Sequence, residues 1–379
     1  MTALSRRSLL QASAAAVLAS CRLRRGLELT LGAVAARTGP RAVWGEDLLH
    51  GMELAVALQN VRGGINGRRV RLVALDNESQ DEQAPALAAR MIEREGALAL
   101  FGELSSIANE KAAQAAQRRN VLFVAPGSAA RDVSRVGDFI FRTALTDHEH
   151  AMAMARHIRL ALQKRRAAIV YRRSSLLHVG MADAFAAGFR GNGGEMALRE
   201  SYTDDTELVR LVSRVRQSGA DVVYAPADSA DAGRIAVAMR QGRVTAQLCG
   251  GDGWASAEVQ RYAGDALAGV LYTDAFFARQ GRPEVDVFLA AFRERYRAVP
   301  GTFAALGYDA MRWVIGVAQH IPGAQLDTRA LRDALLNSHL SDGVANPFRV
   351  DARRSLQREI NVLRYERGGG VELAGTMSP

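Results

Sequence analysis

Residues 97–130 restrict the fold of this chain more than any other stretch. They hold two short apolar runs, 97–101 and 121–125, with an alanine-rich helical segment between them. Two apolar runs separated by one helix predict a βαβ unit, in which the strands pair in parallel through a right-handed crossover. Both runs then end at the same edge of the sheet. Because open α/β sheets bind ligands just beyond the carboxyl ends of their strands, the residues after these runs are candidate ligand contacts.

The same alternation continues on both sides of this stretch. It predicts strands at 27–34 and 70–76 before it, and at 168–171, 195–201, 221–225, 246–249 and 269–272 after it. A period of about 25 to 30 residues in the second series matches one β-α unit per repeat. The sequence therefore predicts an α/β protein of two doubly wound, Rossmann-like lobes, followed by two short antiparallel strands at 347–351 and 360–367.

Loops rich in Gly, Ser and Asp end the strands of both lobes, which predicts a cleft between them.

Composition excludes several classes of function. The hydrophobic fraction of 48% and the charged fraction of 23% are those of an ordinary globular protein. The formal charge of +9 falls to +7 without Arg6 and Arg7, and the arginines mostly alternate with acids, as in 90–95. That pattern indicates a solvated surface and no nucleic-acid partner. Two cysteines give no disulfide framework.

The first 21 residues are interpreted as an export signal. Residues 5–11 resemble a twin-arginine signal around Arg6 and Arg7, and a short apolar stretch, 9–18, follows. Leu18-Ala19-Ser20-Cys21 resembles the bacterial lipobox, in which the cysteine is lipidated. The alternative is an ordinary helical tail with a chance cysteine. A lipidated Cys21 predicts a periplasmic chain that is tethered to the membrane without spanning it.

In lobe 1, Ser105 and Ser106 stand where a strand leads into a helix. Serine is a preferred N-cap, so both residues have a purely structural interpretation. The alternative is an anion site, because a helix N-terminus offers free N–H donors and partial positive charge. Gly127, Ser128 and Ala129 at the neighbouring strand end favour the anion site, since they let a ligand approach the backbone closely.

In lobe 2, the corresponding edge carries acids. Asp252 lies in the glycine-rich loop 250–253, and Asp228 follows the strand before it. Either one alone is more typical of a turn residue or a helix N-cap. Together with the donors of lobe 1, they match a zwitterionic ligand, which needs donors for its carboxylate and a carboxylate for its ammonium.

No pattern favours an enzyme, a metal site or a cofactor. His148 and His150 imitate a metal site, but they stand in a segment that is predicted to begin a solvated helix. Cys249 ends an apolar strand and is interpreted as a buried small side chain. The sequence has no nucleophile elbow, no His-Glu-x-x-His and no phosphate-loop lysine.

In their order along the chain, these features resemble the leucine/isoleucine/valine-type solute-binding proteins of ABC importers. The resemblance runs from about residue 27 to 366 and includes Trp44-Gly45, residues 63–67, 102–106, 124–129 and 250–253. It implies the type I periplasmic binding protein fold, with residues 27–144 and 275–342 in lobe 1 and residues 145–274 and 343–379 in lobe 2. The chain would then cross between the lobes near 143–146, 273–275 and 342–344, and these crossings would form a three-stranded hinge. It also implies that Ser106 and residues 127–129 hold the carboxylate and ammonium of the ligand from lobe 1. Asp252 would take the ammonium from lobe 2, and Trp44 would lie against the ligand side chain.

Two positions depart from the family pattern. Leu177 stands where an aromatic residue usually stacks over the ligand, and Asp228 stands where an aromatic or polar residue is common. These departures widen the expected ligand from a branched-chain amino acid to an amino acid or a related small polar, amide-like or cationic molecule.

The resemblance implies an extracytoplasmic solute-binding protein that closes on its ligand by a hinge motion. Its partners would be ABC permease and ATPase subunits, and it would act as a monomer. The alternative is a ligand-sensing receptor of the same fold, which binds an amide, urea or small organic acid and signals to a partner. A cytoplasmic sensor is disfavoured by the export signal.

Overall fold

The computed structural model describes residues 28–128, 133–354 and 356–379. Its first sheet has five parallel strands in the order β2-β1-β3-β4-β5. Along the chain these elements are β1 (Glu28–Ala35), α1 (Ala42–Val61), β2 (Arg69–Asp76), α2 (Ala84–Glu93), β3 (Ala99–Phe101), α3 (Ser106–Gln117), β4 (Leu122–Ala125) and β5 (Ile140–Arg142). The parallel pairing is the one predicted from the alternating pattern.

The second sheet has seven strands in the order β15-β14-β10-β9-β8-β6-β7, and β6 to β10 are parallel. Its parallel part comprises α4 (Asp147–Arg156), β6 (Arg166–Arg172), α5 (Leu176–Gly191), β7 (Glu195–Tyr202), α6 (Asp205–Gln217), β8 (Val222–Tyr224), α7 (Ser229–Gln241), β9 (Gln247–Gly250), α8 (Ala257–Ala263) and β10 (Leu271–Asp274). A π-helical turn, His157–Ala161, extends α4.

The rest of the chain is helical and then extended. The elements are α9 (Pro283–Tyr296), α10 (Thr302–Gln319), α11 (Thr328–Leu335), β11 (His339–Leu340), β12 (Phe348–Val350), β13 (Leu356–Arg358), β14 (Ile360–Tyr365) and β15 (Val371–Met377). The two short strands predicted at 347–351 and 360–367 exist, but they do not pair with each other. β12 pairs with β11 and β13, whereas β14 joins β10 and β15. The sequence pattern sets which residues are extended but not which strands pair.

Two helices of lobe 1 pack backbone to backbone. A Cβ atom added to Gly51 of α1 would lie 2.0 Å from the carbonyl oxygen of Ala304 in α10, and one added to Gly307 would lie 2.2 Å from that of Leu48. Only glycine allows this approach, so the pair of helices forms a closely packed layer against the sheet. None of the described helices combines the length and apolar character that a membrane crossing requires.

The sheets are joined at their carboxyl edges. β5 ends at Arg142 and the chain enters α4 of the second lobe, while β10 ends at Asp274 and the chain returns to the first-lobe core through Ala275 and Phe276. Both crossings therefore leave from carboxyl ends of strands, so these two edges face each other across the crossings. A bond of 2.7 Å from the Thr302 hydroxyl to the Asp274 carboxylate also links the two sides.

A buried polar network holds the third crossing. Asp309 accepts hydrogen bonds from the N–H groups of Val344 and Ala345 at 2.8 and 2.9 Å, and Arg358 donates to the Thr143 carbonyl at 2.9 Å. Burial raises the pKa of Asp309 to about 6, and burial lowers the pKa of Arg358 to about 10. Val344, Ala345 and residues of β12 pack in the first-lobe core, although the sequence assigned 343–379 to lobe 2. We therefore propose that the third crossing lies after β13.

Candidate functional site

The first-lobe half of the site lies at the N-terminus of α3. Ser105 is the N-cap of this helix, because its backbone is extended and its hydroxyl accepts a hydrogen bond from the Ala108 N–H at 3.3 Å. The Ser106 hydroxyl instead lies 3.1 Å from that of Ser128, beyond the end of β4. Gly127 packs against the loop before α3, because an added Cβ would lie 2.9 Å from the Leu104 side chain. The arrangement offers two hydroxyls beside the positive end of a helix.

The predicted residue Ala129 lies outside the described residues, as does Cys21. The structure therefore brings Ser106, Gly127 and Ser128 together, and the predictions for Ala129 and Cys21 stay predictions.

A charged network that sequence reasoning missed fixes the loop before Ser106. Glu103 is 1% exposed, and its carboxylate accepts a hydrogen bond from the Asn77 amide at 2.7 Å. Arg41, just before α1, contacts Glu103 at 3.0 Å and Asp81 at 2.7 Å. The sequence could have indicated these residues, because Asn77 and Glu103 both follow strands at the carboxyl edge where the site was predicted. The network neutralises Arg41 and links the loops that follow β2 and β3.

On the second lobe, the shape of the loop after β9 comes from a buried anchor. Trp254 is fully buried and donates its indole N–H to the Ala225 carbonyl at 2.8 Å. Gly250 and Gly253 are needed around it, because added Cβ atoms would lie 2.0 Å from the indole nitrogen and from the Ala227 carbonyl oxygen, respectively. This loop presents Asp252 to solvent at the strand end.

The two acids predicted in this lobe have different local roles. Asp228 is the N-cap of α7 and accepts a hydrogen bond from the Asp231 N–H at 2.9 Å. One of its oxygens is therefore engaged within the protein, as the N-cap interpretation expects. No group of the described chain donates a hydrogen bond to the Asp252 carboxylate. It is exposed, and its charge has no partner there.

Two further carboxyl groups, which sequence reasoning did not select, lie close to Asp252. Asp147 is the first residue of α4; burial raises the pKa of its carboxyl, and the charge of Asp252 raises it further. Burial raises the pKa of Asp274 to about 7, and Asp252 adds to this effect. The sequence could have indicated Asp147 as a cleft residue, because it directly follows the crossing predicted at 143–146.

The helix predicted around His148 and His150 does begin here, with a capping box between Thr146 and Glu149. His150, however, is 5% exposed rather than solvated, and its Nδ1 lies 3.0 Å from the Thr273 hydroxyl. Burial lowers its pKa. Within the described ranges, no three His, Cys, Asp or Glu side chains are grouped as metal ligands.

Apolar side chains stand exposed on both sides of the cleft edge. Trp44 near the start of α1 is 53% exposed, and Leu177 near the start of α5 is 52% exposed. Their neighbours Val43 and Leu176, and Ile107 of α3, are exposed as well. Exposed apolar side chains near strand ends are typical of a ligand-binding groove or an interaction surface.

Three comparisons place these observations among known proteins. The family model described as "Periplasmic binding protein" matches residues 28–370. An amino acid binding protein of Pseudomonas aeruginosa is 28% identical over 270 residues, which cover 69% of this chain and 72% of that protein. A Leu/Ile/Val-binding protein homolog of Brucella melitensis is 26% identical and covers 81% and 83% of the two chains.

Solved structures agree on the fold. A leucine binding protein of Thermotoga maritima superposes with a TM-score of 0.76 at 23% identity, covering 93% of this chain and 99% of that one. A solute binding protein of R. palustris in complex with benzoate gives 0.74 at 21% identity, covering 93% and 97%. The predicted type I periplasmic binding protein fold is confirmed.

Proposed function

Because the chain belongs to the periplasmic binding protein family, we propose that it is the solute-binding component of an ABC importer and binds an amino acid in the cleft between its lobes. The family is one of extracytoplasmic substrate-binding proteins, so the chain is not an enzyme. The ligand needs its own argument, since similar proteins are described with leucine and with benzoate.

The observation that carries the proposal is the chemical difference between the two cleft edges. Lobe 1 offers the hydroxyls of Ser106 and Ser128 at the N-terminus of α3, which suit a carboxylate. Lobe 2 offers Asp252, a carboxylate without an internal partner, which suits an ammonium. A ligand with only one of these groups would engage only one lobe, whereas an amino acid bridges both.

A ligand that contacts both lobes favours the closed state of the cleft. A ligand shifts the open-closed equilibrium by as much as its affinity differs between the two states. Only the closed state brings both lobes against one small molecule, and closure covers the exposed side chains of Trp44 and Leu177. Burial of apolar area contributes about 25 cal/mol per Å², so these rings and methyl groups support closure. The closed form would then dock on the permease.

A calorimetric and thermal-shift panel tests this proposal. The purified protein is titrated with amino acids, simple amides and benzoate, since a ligand that binds only the folded state raises the melting temperature. We expect amino acids to bind and benzoate not to. If benzoate or amides bind while no amino acid does, the zwitterion site is wrong, and the alternative of a receptor for such ligands gains support.

We also propose that Cys21 is lipidated after export through a twin-arginine signal. The support is the order of the sequence motifs alone, because these residues lie outside the described part. Cell fractionation of wild type and Cys21→Ser tests it: the wild type should sediment with membranes, and the variant should be released in the soluble periplasmic fraction. Equal release of both would contradict the anchor.

A further inference from the structure

The second lobe gathers more carboxyl groups beside the cleft than one ammonium needs. Asp228 and Asp252 are exposed, whereas Asp274 is buried and accepts a hydrogen bond from the Thr302 hydroxyl. Asp228, Asp252 and Asp274 end or follow β8, β9 and β10, three neighbouring strands of one sheet, so they stand side by side along one edge. Asp147 belongs to the same group, because its carboxyl senses the charge of Asp252. We call Asp147, Asp228, Asp252 and Asp274 the acidic row.

The cationic side chains around the acidic row are already neutralised. Arg172 forms a two-pronged ion pair with Asp231 at the ends of β6 and α7. Arg142 contacts Glu149 at 3.2 Å. Over residues 28–128, 133–354 and 356–379, the carboxyl groups of the acidic row themselves form no ion pair. Asp228 and Asp252 are exposed and have no counter-ion in the described part of the chain, so a cationic ligand group would find two unpaired carboxylates there.

Two buried polar groups beside the acidic row lack a partner. The Tyr224 hydroxyl is fully buried without a hydrogen bond to any described residue. Burial raises its pKa, and the nearby charges of Asp252 and Asp147 raise it further. His178 is 4% exposed, and its Nδ1 has no hydrogen-bond partner among the described residues. Burial lowers the pKa of His178, and the nearby charge of Asp228 opposes this shift. Buried polar groups are normally hydrogen-bonded, so these two indicate a polar ligand or ordered water at the row.

The apolar groups at the cleft edge suit an aliphatic chain that ends in a cation. β8 lies between β9 and β6, so Asp228 lies between Asp252 and Leu177 in the sheet order. A Cβ atom added to Gly253, the residue after Asp252, would lie 3.3 Å from the Cα atom of Asp228, so the loops that carry the two acids are in contact and a short methylene chain can reach from one to the other. Leu177 can cover such a chain, and the face of Trp44 attracts a cation as well as a hydrocarbon.

We propose that the ligand is an amino acid with a long cationic side chain, of the lysine or arginine class, whose terminal cation is bound by Asp228 while Asp252 binds the α-ammonium. The inference rests on the proposed function, because it uses the same cleft. It explains both departures from the family pattern at once: the ring lost at Leu177 makes room for a methylene chain, and the acid gained at Asp228 binds its end. Benzoate, which carries no cation, would leave the whole row unpaired.

Matched ligand pairs isolate the charge. We would titrate the protein with L-lysine against L-norleucine and with L-arginine against L-citrulline, since each pair keeps the chain length and loses the cation. A charge-assisted contact should make the cationic member bind about tenfold tighter or more.

A matched variant pair isolates the residue. Asp228→Asn keeps the N-cap of α7, because asparagine caps helices as well as aspartate does, and removes only the charge. Asp327→Asn makes the same change at the N-cap of α11, where the carboxylate accepts from the Ala330 N–H at 2.8 Å. We expect Asp228→Asn to weaken L-lysine about tenfold and leave L-norleucine unchanged, and Asp327→Asn to change neither.

The outcomes separate this inference from the proposed function. If norleucine binds as tightly as lysine, or if Asp228→Asn weakens both ligands equally, the inference is wrong and the amino-acid site stands. If no amino acid binds while benzoate does, the proposed function fails and the inference fails with it.

Discussion

Asp252→Asn should separate ligand affinity from the stability of the free protein. The Asp252 carboxylate is exposed, and in the described chain nothing donates a hydrogen bond to it, while the carboxyls of Asp147 and Asp274 are near enough to sense its charge. The substitution therefore removes no internal contact and relieves repulsion. Without ligand, the free energy of unfolding should stay level or rise by up to about 1 kcal/mol, the usual ceiling for exposed charge pairs.

The ligand responds in the opposite direction. Its ammonium loses the counter-charge inside a closed cleft, which costs about 2 kcal/mol or more, or about thirtyfold in Kd. Calorimetric titration gives the affinity, and urea unfolding of the ligand-free protein gives the stability, with Asp327→Asn measured alongside. The reasoning is refuted if the affinity is unchanged, or if the variant unfolds more than about 1 kcal/mol more easily than wild type.

Three more predictions test the site and the fold. Ser105→Ala should cost about 1 kcal/mol of stability through the lost N-cap, whereas Ser106→Ala should weaken the ligand with little effect on unfolding; the reverse pattern would contradict the assignment. Burial raises the pKa of Asp274 from 3.8 to about 7, so the folded state binds this proton more tightly than the unfolded state does. The stability that the protonated carboxyl contributes is therefore lost as the pH rises from about 4 through about 7. Asp274→Asn should remove this part of the fall in unfolding free energy with pH, which is at most about 1.4 kcal/mol per pH unit. Urea unfolding at several pH values measures the fall, and the same pH dependence in wild type and variant would refute the prediction. Gly51→Ala should destabilise by about 1–3 kcal/mol because its Cβ meets the Ala304 carbonyl oxygen at 2.0 Å, while Gly316→Ala, with open space around it, should not; equal effects in denaturant unfolding would count against the close helix contact.

The parallel sheets could be predicted because each β-α unit is a local pattern. Apolar runs of strand length alternate with helical segments, and parallel pairing follows from the crossover. The pairing of β12 and β14 could not be predicted in this way. Both strands are short, and no local sequence pattern determines which sheet each one joins. The same limit explains the third crossing, where Val344 packs in the first-lobe core.

Candidate site residues could be selected from the sequence where they directly follow a strand end. Ser106 and Ser128 follow neighbouring strands, and the structure places their hydroxyls 3.1 Å apart. Asp147 and Glu103 were missed for a physical reason: their roles come from burial and from nearby charges, which only the folded chain creates. Patterns of residue type identify backbone positions better than they identify electrostatic environments.

The helix cap at Asp228 has a consequence for how such a protein could change its ligand. Asparagine, serine and threonine serve at an N-cap nearly as well as aspartate, so α7 tolerates each of them. Charge at this point of the cleft can therefore be gained or lost by single substitutions that leave the scaffold intact. Evolution could therefore change the ligand preference of this lobe by single substitutions, each of which leaves a folded protein, without the loss of stability that usually accompanies a new binding specificity.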